Sequence, residues 1–374
     1  QTAVLVYYQK SLLFFMKHLY NKEIKMSLLL NSTKVIIPPD AEVMDKVTSI
    51  LQGDNIINGD LGLLNVMIRK YAGIRRTITP PLTKNCMVVT CADHGVAQQG
   101  ISAYPVETTV HMTANYLVSK GASANAFANY CNADMVVADM GVCGDLSHVA
   151  GLLHKKIAYG TADFTKGPAM SREQAILAIE TGIEIVNEKV KEGYSCFSLG
   201  EMGIGNTTSS AAIVGAFTKL PPEIVTGRGT GISDSRLEIK IAVVKKGLEI
   251  NNPDITDGVD VLAKVGGFEI GALAGVVLGA AINKCPVVID GLNTTASALI
   301  ANAINPLCKE YIFSSHLSGE PAHIKALDLL NLKPCVDMKV CLGEAIGASV
   351  VMELLTCGTK ILQNLVNNEV LEEK

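Results

Sequence analysis

Residues 200–210, GEMGIGNTTSS, set three glycines around a carboxylate and follow them with an amide and a run of hydroxyls. Glycine lets backbone approach a ligand closely, and the free N–H groups of a helix start attract an anion. No lysine follows the glycines as a Walker loop requires, and Glu201 would repel a phosphate but suits the hydroxyls of a sugar. On spacing alone, a ligand loop and a tightly packed turn both satisfy the pattern. VTGRGTGISDSRLEIK (225–240) is a second glycine-rich turn, with Ser233 or Asp234 placed to cap the helix that carries Lys240. Taken alone it reads as a turn and a solvated lysine. IDGLNTTASA (289–298) repeats the design of strand, Asp-Gly and hydroxyl-rich helix start, and SSHLSGEPAH (314–323) adds His316, Ser318 and Glu320. In VCLGEAIGASVVMELL (340–355), Glu344 sits between glycines at the entry to a strongly apolar helix. A carboxylate there is either a partner of the helix dipole or a base in a partly desolvated pocket, where its pKa would rise. The acid–imidazole clusters, Asp93 with His94 and His316 with His323, lack a standard metal spacing such as HExxH, so no metal is expected.

The elements that must position these residues alternate. CMVVTCADHG (86–95), ADMVVADMGV (133–142) and CPVVIDGLNTT (285–295) are short apolar runs ending in polar residues, as buried parallel strands do at their carboxyl ends. Helical patterns cover 105–130, 171–192, 207–218, 234–250, 269–283 and 322–331. This alternation predicts an α/β fold with a doubly wound, mostly parallel, Rossmann-like sheet. Ligands of such sheets bind outside the carboxyl ends of the strands, and the site is expected there. The large nucleotide-binding domain is expected over 81–344, with a smaller helical domain from 26–80 and 345–374. Residues 1–25 are aromatic-rich in an aromatic-poor chain, and Met26 reads like a fresh beginning. That stretch is expected to be a translated upstream segment or an accessory helix.

Composition narrows the function classes. Of 374 residues 48% are hydrophobic and 18% charged, which favours a large buried core over disorder. A net charge of −4 without a Lys/Arg-rich stripe argues against nucleic-acid binding. The apolar runs near the start are too short to span a bilayer, so a cytoplasmic protein with no membrane contact is expected. The ten cysteines include no CxxC pair and read as small buried hydrophobes in a reducing compartment.

Six blocks in order, ADHGVAQQGISAYPVETT, GEMGIGNTTSSAA, GRGTGISD, VGGFEIGALAG, SHLSGEPAH and LGEAIGA, resemble the nicotinate-nucleotide–dimethylbenzimidazole phosphoribosyltransferase family over about 26–360. The resemblance implies transfer of the phosphoribosyl group of nicotinate mononucleotide to a lower-ligand base, with inversion to an α-ribotide and release of nicotinate. It also implies a homodimer and no cofactor. It makes Glu344 the general base. It turns Glu201 toward ribose, and puts Gly203, Gly229, Lys240, Gly291 and Asn293 around the phosphate. Ser102, Tyr104, His111 and Leu342 would form the acceptor pocket. The chain departs from the family pattern at Asp60 for Ser, His111 for Gln, Asp163 for Asn, and in AIGA after Glu344 for Gly-Thr-Gly-Ala. Dimethylbenzimidazole-like bases are the leading acceptors. The alternatives are phenol or p-cresol, used by a heteromeric branch, adenine-like bases, or a non-catalytic partner subunit.

Overall fold

An unbroken apolar run reads as a strand covered on both sides, and β1 (Asn85–Ala92) has every residue buried. It lies between β2 (Ala133–Gly141) and β4 (Cys196–Met202), both parallel to it. β3 (Leu153–His154), β5 (Val287–Ile289) and β6 (Ile312–Ser314) complete one parallel sheet in the order β3-β2-β1-β4-β5-β6. The winding reverses between β1 and β4, which makes the crevice beyond their carboxyl ends the topological switch point. The doubly wound α/β expectation holds. The computed structural model describes residue 29, residues 31–52 and residues 60–372. The expected N-terminal stretch 1–25 lies outside the described residues.

The pairing register assigns the two faces. Thr90 pairs with Glu201 and Val89 with Gly200, so each pair points to one side. Thr90 donates to the Glu269 carbonyl at 3.1 Å, which puts helix Phe268–Ile282 on its face. That helix is almost wholly buried against helix Arg172–Lys191. A Cβ on Gly275 would come within 1.9 Å of the Ile179 carbonyl, so only glycine permits this approach. On the other face Gly200 backs onto Ala345, at the entry to helix Ile346–Glu372. The far part of that helix joins helices Ala41–Gln52 and Leu63–Arg75 around a second small core of Val47, Ile68, Ala72, Leu362 and Val366.

Three expectations are corrected. The pattern over 105–130 is two helices, Thr108–Leu117 and Ser123–Tyr130. Lys120 takes a left-handed φ of 52°, and Asn115 Oδ1 accepts from Gly121 N–H at 3.2 Å, which turns the chain. Helical periodicity does not register such a break. Seven cysteines are buried or partly buried, but Cys143, Cys341 and Cys357 are exposed. Lys240 is buried rather than solvated. Among the described residues no helix is long and apolar enough to cross a membrane.

Candidate active site

Glu201 is the penultimate residue of β4, and the turn after Met202 carries Gly203–Gly205 into helix Asn206–Thr218. The start of helix Leu292–Ile304 after β5 supplies Gly291 and Asn293, the segment after β6 supplies Ser318 and Glu320, and the entry to the last long helix supplies Glu344. Together they wall a cavity of about 330 Å³ at the carboxyl end of the sheet. That volume falls in the range of small-ligand sites. From the β1 side, Tyr104, Thr108 and Met112 close it.

Glu201 forms the polar floor and is nearly enclosed. Its Oε1 accepts from Asn293 Nδ2 at 2.9 Å, and its Oε2 accepts from Asn206 Nδ2. Burial pushes its pKa up to about 7; the Asn293 hydrogen bond opposes that rise, and the carboxylates of Glu269, Asp290 and Glu344 add to it. Gly343 presses on this carboxylate so closely that a Cβ there would sit 2.1 Å from Oε1.

Glu344 stands beside Glu201 in the cavity wall and is 6% exposed. Burial raises its pKa, while the Tyr116 hydroxyl and the Ala124 backbone N–H restrain the rise. The same carboxylate and burial hold the Tyr116 hydroxyl firmly protonated. Glu344 and Ala345 both adopt left-handed backbone, with φ of 70° and 62°. Two successive non-glycine residues there cost about 1–2 kcal/mol each, a strain that concentrates at functional sites.

At the opposite end, a small annex of about 50 Å³ continues from the cavity under the first turn of helix Asn206–Thr218. Lys240 closes it. Its Nζ donates to Thr207 Oγ1 at 2.9 Å and to the Gly227 carbonyl at 3.0 Å. Burial lowers its pKa to about 8, and the Glu320 carboxylate works against that. Glu320 Oε1 in turn accepts from Gly229 N–H at 2.7 Å, which fixes the glycine-rich turn over the annex. A helix start beside a buried cation has the chemistry to hold an anion.

The structure therefore gathers Glu344, Glu201, Gly203, Gly229, Gly291, Asn293, Tyr104 and Leu342 around one cavity. Lys240 and Ser102 line the annex. His111 is not brought in: it lies on the exposed side of helix Thr108–Leu117, which turns Thr108 and Met112 to the cavity instead. Asp60 and Asp163 also lie outside the walls. Asp60 Oδ1 accepts from Gly62 N–H and Asn65 at the start of helix Leu63–Arg75. Asp163 ties down its own turn through Thr165 and Gln99. Sequence reasoning missed Asn206, Met112 and Tyr116, and noted Glu320 without placing it in the site. The amide at the helix start and the glutamate before Pro321 were the available signals for Asn206 and Glu320. Among the described residues no group of three His, Cys, Asp or Glu side chains could hold a metal ion.

Comparisons with known proteins agree with this geometry. Residues 36–370 match a family model described as phosphoribosyltransferase. The nicotinate-nucleotide–dimethylbenzimidazole phosphoribosyltransferase of Desulforamulus reducens is 44% identical over 341 residues, 91% of this chain and 97% of that protein. The enzyme of the same name from Geotalea uraniireducens is 45% identical over 344 residues, 92% of this chain and 97% of that one. A crystal structure of the Thermus thermophilus enzyme superposes with a TM-score of 0.81 at 37% identity, covering 86% of this chain and 96% of that chain. With a family model and relatives matched along most of its length, the chain belongs to the nicotinate-nucleotide–dimethylbenzimidazole phosphoribosyltransferase family.

Proposed function

We propose that this protein transfers the phosphoribosyl group of nicotinate mononucleotide to a dimethylbenzimidazole-like base, giving an α-ribotide and nicotinate. The observation that carries the reading is the division of one cavity into two ends. A buried lysine and a helix start lie at one end, and a buried carboxylate of raised pKa lies at the other. The annex takes the phosphate: Lys240 supplies the countercharge and the Gly203 and Gly229 turns supply close backbone. Glu201, braced by Asn206 and Asn293, faces the ribose hydroxyls. The remaining wall, Met112, Tyr104 and Leu342, is largely apolar and suits a flat aromatic acceptor.

The chemistry follows from that arrangement. The acceptor's imine nitrogen attacks the anomeric carbon as the glycosidic bond to nicotinate breaks. The bonding pair returns to the pyridinium nitrogen and neutralises it. Glu344 takes the N–H proton from the acceptor's other ring nitrogen, which leaves the product azole neutral. A raised pKa fits that step, because a base titrating nearer neutrality accepts a proton more readily. The Glu201 carboxylate, close to the ribose, steadies positive charge developing on an oxocarbenium-like carbon.

The test is a product assay. Purified protein is incubated with nicotinate mononucleotide and, separately, dimethylbenzimidazole, adenine and phenol. Nicotinate release with dimethylbenzimidazole, matched by α-ribotide, is expected. Folded protein that binds the mononucleotide yet releases nicotinate with no acceptor would overturn the reading.

A further inference from the structure

Glu344 can serve as a base only if its strained turn is held in place, and a buried carboxylate outside its own segment reaches the backbone of the turn. Asp290, at the end of β5, is 1% exposed. Its Oδ1 accepts from the Ala348 backbone N–H at 3.0 Å, within the first turn of helix Ile346–Glu372. The backbone N–H groups of Ala345, Gly347 and Gly291 also lie around its carboxyl group. Asp290 does not line the cavity. The first-turn N–H groups of any helix need acceptors, and here the acceptor comes from a different strand.

The surroundings pin Asp290 in turn. Its backbone N–H donates to Thr294 Oγ1 at 2.8 Å, and its backbone carbonyl accepts from Ser315 Oγ at 3.2 Å. The His316 ring stands 3.6 Å from its Oδ1. On the helix side, Ser349 Oγ donates to the Ala345 carbonyl at 2.8 Å, so Ala345 is gripped from within the helix while Asp290 grips the same turn from the sheet. The left-handed pair Glu344–Ala345 lies immediately before this seat.

We propose that Asp290 is a positioning residue for the phosphoribosyl transfer: by accepting the Ala348 N–H in the first turn of helix Ile346–Glu372, it holds Glu344 in its left-handed turn and aims the carboxylate at the acceptor. The proposal rests on the reading of Glu344 as the base. Asp290 acts through Glu344 and makes no contact with either substrate. Losing it lets the turn relax toward unstrained backbone, and small misplacements of a catalytic group cost about 10²-fold in rate.

The experiment is a double-mutant cycle read in kcat and KM for the mononucleotide, with melting temperature as the folding control. Asp290→Ala is expected to lower kcat about 10- to 100-fold while KM stays within about threefold. Asp290→Ser, which stays polar but is too short to reach the Ala348 N–H, is expected to behave the same way and serves if the alanine variant does not fold. Asp290→Asn, whose amide oxygen accepts from the same groups, is expected to restore most of kcat. In a Glu344→Gln background, Asp290→Ala should cost nothing further. Wild-type kcat in the alanine and serine variants would overturn the proposal, as would a rise in KM with kcat unchanged, or an equal loss of kcat in both backgrounds. Full activity of Glu344→Gln by itself would instead overturn the assignment of the base.

Discussion

Asn293 donates its side-chain N–H to Glu201 Oε1 across 2.9 Å and so couples the end of β4 to the first turn of helix Leu292–Ile304 at the floor of the cavity. That bond favours the ionised carboxylate, against a burial that drives the Glu201 pKa up to about 7. Asn293→Ala is therefore expected to raise the Glu201 pKa further. The acidic limb of kcat/KM, which reports the free enzyme, should move to higher pH. At neutral pH, kcat/KM should fall about 10- to 100-fold, the worth of a hydrogen bond to a charged group. A pH profile from 5.5 to 9 checks both; an unmoved acidic limb would contradict the role.

His94 Nε2 and Glu269 Oε1 meet at 2.6 Å, both wholly buried, beneath the turn that carries Gly203. Burial disfavours the imidazolium, but the Glu269 carboxylate outweighs it, with help from Asp93 and Glu201, and the His94 pKa is raised. The folded state then binds more protons than the unfolded chain, whose imidazole titrates near about 6.5. The pair's contribution is complete below that pH and is lost as pH rises through the raised folded value. Glu269→Ala is expected to cost about 3–5 kcal/mol by leaving a buried partner unpaired. Urea unfolding at several pH values checks it, and the variant should lose the pH slope as well as the stability.

Ala345 occupies left-handed backbone, with φ of 62°. Ala345→Gly should relieve part of the roughly 1–2 kcal/mol strain, offset by the extra freedom glycine gives the unfolded chain. A net gain of about 0.5–1 kcal/mol in thermal unfolding is expected. A lower melting temperature would show that the turn is not strained.

Lys240, with its pKa lowered to about 8 by burial, should lose its charge within an accessible pH range. KM for the mononucleotide is expected to climb above pH 8 while kcat holds. Lys240→Met, which fits the same channel without the charge, should raise KM about 10- to 100-fold at neutral pH. Calorimetric titration with the mononucleotide gives an independent reading of the same loss.

Much of this architecture is legible in the sequence because buried parallel strands leave an unmistakable trace. β1, β2 and β4 are apolar runs with Asp93, Asp139 and Glu201 within two residues of their carboxyl ends, and those polar ends place the site. β3, two residues long, is too short for periodicity to register. The glycine-flanked carboxylates Glu201 and Glu344 stand out by type. Whether a side chain faces inward is a different matter. Lys240 sits on a helix rich in charged residues, and its burial depends on Thr207 and Gly227 accepting from it, neither adjacent in the chain. His111 and Met112 are neighbours on one helix, and only the packing of that helix decides which of them meets the cavity. The contact of Asp290 with Ala348 joins segments 58 residues apart, and no local pattern announces it.

The proposed mechanism turns on Glu344 removing the acceptor's proton. The most direct measurement is the turnover of Glu344→Gln with nicotinate mononucleotide and dimethylbenzimidazole, followed as nicotinate release. Melting temperature and mononucleotide affinity are measured on the same preparation. With Glu344 as the base, kcat should be lower by about 10²–10⁴-fold, with stability and affinity unchanged. A folded Glu344→Gln protein that binds the mononucleotide and turns over within threefold of the wild-type rate would contradict it.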